Sequence, residues 1–295
     1  MRTKLSVPGE EYIYSGHGAC PGCAMPVVLR TLYKLMGPRT VVAATAGCHG
    51  TISGVYPASP FKLATYNTPF PSLGAAAIGL RAGLDMKGEQ ETQVVAIGGD
   101  GGVFDIGLQS ISRALERNEN ILFICYDNEA YMNTGIQGSS STPSGAWTTT
   151  NPTSAPKSYP KKDLLGIIAA HRIPYAASAS IGYLEDYLAK IEKARKIIGS
   201  RFLHVISPCP VGWRFPSELT LKIARLAVQS RVFPLYEIEG GKRYKLTMDP
   251  SPVVPVKDYL ALQGRFKHLP SEAIANVQAW VEENWEILSV KTRCQ

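Results

Sequence analysis

An α/β fold built on a parallel sheet flanked by helices is predicted by three observations. Short β-rich runs alternate with longer stretches of helical periodicity. Several of the short runs are almost uninterruptedly apolar, as strands covered on both faces are. One of them passes through a glycine-rich turn directly into a helix. With 295 residues, 45% of them hydrophobic, the chain is long enough to bury a core as one large domain or two modest ones.

In chain order, the first predicted helix runs from Pro21 to Met36 and the first strand from Thr40 to Ala44. Small residues at helical spacing around Gly74 to Gly83 mark a helix from Ser72 to Met86, packed closely on a cofactor, a partner helix or the core. The alternation continues with strand Gln93 to Ile97, helix Val103 to Glu116 and strand Ile121 to Tyr126. Helix Lys161 to Ala170, strand Pro174 to Ala177, helix Tyr183 to Ile198, strand Phe202 to Ile206 and helix Pro216 to Val228 follow. Between Asn133 and Lys161 the rhythm breaks into Gly, Ser, Thr and Pro, and a loop of that length in a compact domain is read as one that covers a site. Beyond Val228, VFPLYEIEGGKRYKL predicts a hairpin turning at Gly240-Gly241, then a Pro-rich stretch and a last helix from Glu272 to Ile287. Residues 1–230 are therefore read as the main domain and 231–295 as a C-terminal extension packed on it or on a partner subunit.

Charged residues make up 19% of the chain, and no window approaches the apolar run of roughly 18 residues that a membrane span needs. The N-terminal segment MRTKLSVPGEEYIYSG has two early cations, but Glu10 and Glu11 interrupt any apolar stretch, so a cytoplasmic rather than a secreted protein is expected. The net charge of +7 is scattered, with only short groups such as Lys161-Lys162 and Lys242-Arg243. It lacks an aromatic-interleaved basic stripe, which argues for a solvated surface and against nucleic acid. Six cysteines in such a chain argue against a disulfide framework and for metal or redox use of some of them.

The run VVAIGGDGGVFDIGLQSISRAL is a buried strand, a glycine-rich turn and a helix, which sets Asp100 at the carboxyl end of the strand beside a helix N-terminus. Gly99 and Gly101 let backbone amides approach phosphate oxygens, and Asp100 offers the hard oxygen that magnesium prefers. A second strand, ILFICYD, leads into Asn128, whose amide oxygen can complete the coordination. The structural alternative is an ordinary turn in which Asp100 caps the helix. A P-loop is excluded by the missing lysine.

Cys20-Pro-Gly-Cys23 precedes a helix, Cys48 follows a strand and Cys209 follows another in SPCP, so convergent element ends can gather four thiols. Zinc and an iron-sulfur cluster both suit such a set. A thioredoxin-like pair would leave Cys48 and Cys209 without a role. Cys125, inside an apolar strand, reads as a core residue, and Cys294 as incidental. His17 and His49, each close in sequence to one of these cysteines, can tune a cluster or simply hydrogen-bond locally.

The pair GDG and ILFICYDNEAYMNTG resembles the diphosphate-binding signature of thiamine diphosphate enzymes, and the resemblance implies Asp100, Asn128 and the Ala130 carbonyl as magnesium ligands. Taken with GHGACPGC, AGC and SPCPVGWRF in this order, it resembles the beta subunit of 2-oxoacid:ferredoxin oxidoreductases, particularly the pyruvate:ferredoxin type, over roughly residues 14 to 238. That resemblance implies a thiamine diphosphate-binding fold and a 4Fe-4S cluster on Cys20, Cys23, Cys48 and Cys209, with Cys48 also beside the cofactor. It makes Asn133, in YMNTGIQ, a catalytic amide near the thiazolium and the substrate carbonyl. No glutamate stands where the aminopyrimidine needs one, because Glu129 lies at the diphosphate end. An alpha subunit is therefore implied to supply it. A ferredoxin-like delta subunit or domain, ferredoxin, a 2-oxoacid and coenzyme A are implied as further partners. Pyruvate is the expected substrate, with branched-chain 2-oxoacids, 2-oxoglutarate and oxalate open, and a thiamine-dependent decarboxylase or synthase with a structural metal site is the other reading.

Overall fold

The computed structural model describes residues 7–293 except Tyr56, so Cys294 and the two early cations of the N-terminal segment lie outside the described residues. Among the described residues eight strands form one sheet: β1 (Thr40–Thr45), β2 (Ala64–Thr68), β3 (Gln93–Gly99), β4 (Ile121–Asp127), β5 (Tyr175–Ser180), β6 (Arg201–Ile206), β7 (Tyr236–Glu239) and β8 (Arg243–Leu246). Their order is β2-β1-β3-β4-β6-β5-β7-β8. The first six are mutually parallel; β7 runs antiparallel to β5, and β8 closes a hairpin with β7 at Gly240-Gly241.

Every residue of β4 is buried, because helices cover both faces. The period-2 alternation of a strand then sorts its side chains between two cores. Leu122 and Ile124 pack with Val28, Leu29 and Leu32 of α1 (Met25–Met36), while Ile121 and Phe123 pack with Leu73 and Ala77 of another helix. Short α2 (Cys48–Ser53) follows β1, and α3 (Leu73–Met86) and α4 (Leu108–Glu116) flank β3 in sequence. Next come α5 (Leu164–Ala170), α6 (Leu184–Lys196), α7 (Pro210–Trp213), α8 (Thr220–Gln229), α9 (Val256–Ala261) and α10 (Ser271–Arg293). A third core, with Trp213, Ile223, Phe233, Tyr259, Phe266 and Val281, joins α7 and α8 to the C-terminal segment.

Several boundaries differ from those the sequence suggests, each for a local reason. The first helix starts at Met25 rather than Pro21, because Cys20-Pro21-Gly22-Cys23 closes a turn of its own. Cys23 N donates to Cys20 O at 3.0 Å, and Gly22 takes φ 72°, the geometry of a type II turn. The helix expected from Val103 to Glu116 is divided: Gly101–Ile106 is one π-helical turn, closed by Gly107 N on Gly102 O at 3.0 Å, and α4 follows it. The helix expected from Lys161 begins at Leu164, where the Asp163 carboxylate accepts from Gly166 N at 2.9 Å as the N-cap. The last helix reaches Arg293. The strand β2 and the short α2 and α9 have no clear sequence period.

Glycine in α3 plays two different parts. A Cβ at Gly74 would lie 2.2 Å from the Ser110 carbonyl oxygen, where α3 packs on α4, whereas one at Gly79 would meet nothing within 4 Å. Gly74→Ala is therefore expected to lower stability by about 1–3 kcal/mol through overpacking. Gly79→Ala is expected to raise it by up to about 1 kcal/mol through helix propensity. Denaturant unfolding of the two variants checks the opposite signs.

Candidate functional site

Four neighbouring parallel strands, β1, β3, β4 and β6, end on the same side of the sheet. Cys48 follows β1, Asp100 follows β3, Asn128 follows β4 and Cys209 follows β6. The chain adds β2 on one side of β1 and β3 on the other, and such a switch point opens a crevice at the strand tips. The Cys20–Cys23 turn reaches the same crevice from the start of α1.

Asp100 is 1% exposed. Its Oδ2 accepts from Ser139 Oγ at 2.5 Å and its Oδ1 from Asn128 N at 3.3 Å. Burial, and after it the charge of Asp127, pushes the Asp100 carboxyl well above the usual carboxylate range. The Asn128 carboxamide has one atom 2.9 Å from Ala130 O and 3.0 Å from Asp100 Oδ1. Placed there, the amide nitrogen donates to both oxygens. With the carboxamide turned so that its nitrogen faces Cys48 Sγ at 3.7 Å, three oxygens face one another without a proton between them. A hard cation suits that second arrangement, and it would offset the burial and the neighbouring Asp127 charge that raise the Asp100 carboxyl. Gly101 permits the close approach of the wall behind: a Cβ there would fall 2.3 Å from the Tyr131 ring.

Asp127, adjacent to Asn128, is buried but fully served. It accepts from Lys161 Nζ at 2.6 Å, Ser141 Oγ at 2.7 Å and His204 Nε2 at 2.7 Å. Burial raises its carboxyl, and Lys161 followed by His204 more than offsets this, leaving it below the usual range. Lys161 also reaches Glu129 at 3.1 Å, and Arg265 holds the other Glu129 oxygen at 2.5 Å. Arg265 lies over Trp213, 3.9 Å from the ring centroid, and Trp213 Nε1 donates to Asn128 O at 2.7 Å. The Lys161 ammonium is thus part of the interior rather than the solvated surface expected of it, and Glu129 is a buried ion-pair residue.

Cys20, Cys23, Cys48 and Cys209 line one cavity of about 100 Å³. Cys209 sits at the N-cap of α7, where its Sγ accepts from Gly212 N at 3.4 Å. Burial pushes Cys23 up to about 11, and burial followed by Cys209 pushes Cys48 up to about 12. Such thiols become thiolates when a metal compensates them. Among the described residues no three His, Cys, Asp or Glu side chains are already closed into a metal-holding group. Cys125 is buried in β4.

Asn133 lines both the thiol cavity and the cleft of Gly99, Asp100, Gly101, Asn128 and Ala130, and its Nδ2 donates to Thr51 Oγ1 at 2.7 Å. His49 is buried, with Nε2 3.0 Å from Tyr33 Oη, and burial pushes it down to about 3, so it is a neutral core histidine. His17 is half-buried and its Nδ1 accepts from Ala19 N at 3.4 Å.

Residues 45–205 match the family model described as thiamine pyrophosphate enzyme, C-terminal TPP binding domain, which contains the tips of β3 and β4. Ketoisovalerate oxidoreductase subunit VorB of Pyrococcus furiosus is 46% identical over 98% of this chain and 96% of that protein. Pyruvate synthase subunit PorB of Methanocaldococcus jannaschii is 42% identical over 97% and 99%. The chain belongs to the beta subunits of 2-oxoacid:ferredoxin oxidoreductases. A solved 2-oxoglutarate:ferredoxin oxidoreductase from Magnetococcus marinus shares the fold of this beta subunit, with a TM-score of 0.60, 20% identity and coverage of 76% of this chain and 82% of that one. The protein is accordingly an oxidoreductase subunit with a thiamine pyrophosphate binding domain. Among the described residues no helix is long and apolar enough to cross a membrane.

The supports of this beta-subunit site escape sequence reading. Ser139, Ser141, Lys161, His204, Trp213 and Arg265 stand between 14 and 136 positions from the residues they hold. Only the serine run of the loop could have signalled hydroxyl donors. Glu129→Ala is expected to cost about 3–5 kcal/mol, because it leaves Arg265 buried without its counter-charge. Urea unfolding measures this, and a cost below about 1 kcal/mol would refute the buried pair.

Proposed function

We propose that Asp100, Asn128 and the Ala130 carbonyl hold the magnesium that binds the diphosphate of thiamine diphosphate, beside a 4Fe-4S cluster on Cys20, Cys23, Cys48 and Cys209. The observation that carries this reading is the adjacency of the two cavities: Cys48, Asn128, Met132 and Asn133 line both. When bound, thiamine diphosphate supplies the carbanion chemistry of 2-oxoacid decarboxylation, and a cluster supplies a one-electron acceptor.

The chain's own residues then have distinct tasks. Asp100, stripped of water and opposed by Asp127, keeps its charge once a cation faces it. Gly99 and Gly101 bring backbone close to the diphosphate. Asn133, at the rim of both cavities, donates its amide to the substrate carbonyl oxygen as charge gathers there. Both Glu129 oxygens are occupied by cations, so the carboxylate that activates the pyrimidine comes from an alpha subunit. A ferredoxin-like delta subunit or domain and ferredoxin carry electrons onward in the cytoplasm, and coenzyme A takes the acyl group. The named relatives and the coenzyme A in the solved neighbour support this complex.

Metal and cofactor content of the anaerobically purified complex tests the assignment. Asp100→Ala is expected to lower thiamine diphosphate content at least about tenfold while keeping iron. Cys23→Ser is expected to remove this chain's iron while keeping thiamine; Cys48 serves less well, since it borders both cavities. Zinc in place of iron in the wild type would sink the cluster, and joint loss in both variants would mean misfolding. Reduction of a low-potential acceptor, assayed across pyruvate, ketoisovalerate, 2-oxoglutarate and oxalate, is expected with pyruvate or ketoisovalerate and to require coenzyme A.

A further inference from the structure

Among the described residues six that are not glycine take a positive φ. Four of them, Asn118, Arg172, Arg214 and Arg231, close helices, where a left-handed residue is ordinary. Ile136 closes the turn bridged by Tyr131 and Gln137. Glu129, at φ 65°, does neither: it follows β4 and stands directly between Asn128 and Ala130. A residue with a Cβ disfavours this left-handed conformation, which glycine adopts freely and asparagine tolerates.

The conformation is nevertheless fixed at every polar atom of the residue. Glu129 N donates to Asp127 Oδ1 at 3.0 Å, and Glu129 O accepts from Thr142 Oγ1 at 2.7 Å. Its buried carboxylate meets Lys161 at 3.1 Å and Arg265 at 2.5 Å. Arg265 Nε in turn donates to Gln263 Oε1 at 3.0 Å, so this grip reaches in from the C-terminal extension. Strained backbone persists only where its surroundings over-determine it, and such places cluster at ligand sites. The consequence here is geometric. The α-carbons of Asn128 and Ala130 lie at the outer ends of the two planar peptides that meet at Glu129, so the dihedrals of Glu129 set how the Asn128 side chain and the Ala130 carbonyl face each other. At φ 65° a carboxamide atom of Asn128 comes to 2.9 Å from Ala130 O and 3.0 Å from Asp100 Oδ1.

We propose that Glu129 is a positioning residue for the magnesium site: its ion pairs with Lys161 and Arg265 hold the left-handed turn that directs the Asn128 carboxamide and the Ala130 carbonyl toward one cation. This rests on the assignment of Asp100, Asn128 and Ala130 made above. It adds that the loop before α5 and the C-terminal extension govern cofactor affinity through one carboxylate.

The test removes the Glu129–Arg265 pair on both sides, while Lys161 keeps Asp127, so that no buried charge is left alone. It then varies how well position 129 tolerates the left-handed turn. Glu129→Leu/Arg265→Met and Glu129→Gly/Arg265→Met are compared in the assembled complex, purified anaerobically and freed of thiamine diphosphate, by calorimetric titration with thiamine diphosphate at saturating magnesium. The leucine variant is expected to bind at least about tenfold more weakly than the wild type, and the glycine variant at least about fivefold more tightly than the leucine variant. Leucine fills space that glycine leaves empty, so the glycine variant is expected to melt lower; a purely structural part for Glu129 would make affinity follow that order instead. Should either variant fail to fold, Glu129→Gln/Arg265→Met and Glu129→Asn/Arg265→Met repeat the comparison with one methylene between them, asparagine binding the more tightly. Glycine or asparagine binding no more tightly than its counterpart, or the leucine variant binding as the wild type does, would overturn the positioning role. Retention of thiamine diphosphate by Asp100→Ala would instead overturn the magnesium assignment beneath it.

Discussion

Two carboxylates, Asp100 and Asp127, are buried at the tips of adjacent strands, where the charge on one opposes the charge on the other. The structure resolves this repulsion asymmetrically. Asp127 receives an ammonium, an imidazole and a hydroxyl. Asp100 receives one hydroxyl, one backbone amide and the oxygen-rich side of Asn128. The difference separates a fully served structural carboxylate, Asp127, from Asp100, which the proposed assignment turns toward a cation. It also explains the course of the chain between β4 and α5, since Ser139, Ser141 and Lys161 must all come back to these two groups.

Compensating the interior charge draws on the C-terminal region as well. Arg265, 136 residues from Glu129, completes the ion-pair chain, and its face covers Trp213. The hairpin of β7 and β8 extends the sheet beside β5, and the third core joins α8, α9 and α10. Residues beyond 230 are thus tied to the charge network beneath Asn128.

What the sequence made legible was what local rules govern. Nearly continuous apolar runs marked β3, β4 and β6, because burial on both faces leaves few polar positions. Pro-Gly between two cysteines and Gly-Gly between two strands marked turns. The strand β2, with the sequence ATYNT, is a largely exposed edge and carries no apolar alternation. Lys161 read as the start of a helix, whereas the Asp163 N-cap starts α5 at Leu164 and leaves the Lys161 ammonium to a carboxylate 34 positions away. The ligand candidates themselves were legible because each lies directly after a strand or in a tight turn. Their supports were not, because hydrogen bonds across tens of residues leave no period.

The turn that carries Cys209 also carries Trp213, and the indole of Trp213 holds the carbonyl of Asn128. Thiol and amide are therefore linked through four residues of backbone and one hydrogen bond, with no subunit boundary between them. The sulfur side of the crevice is thereby tied to the oxygen side within one polypeptide. A substitution at Trp213 would cut that tie while leaving in place every residue proposed as a ligand.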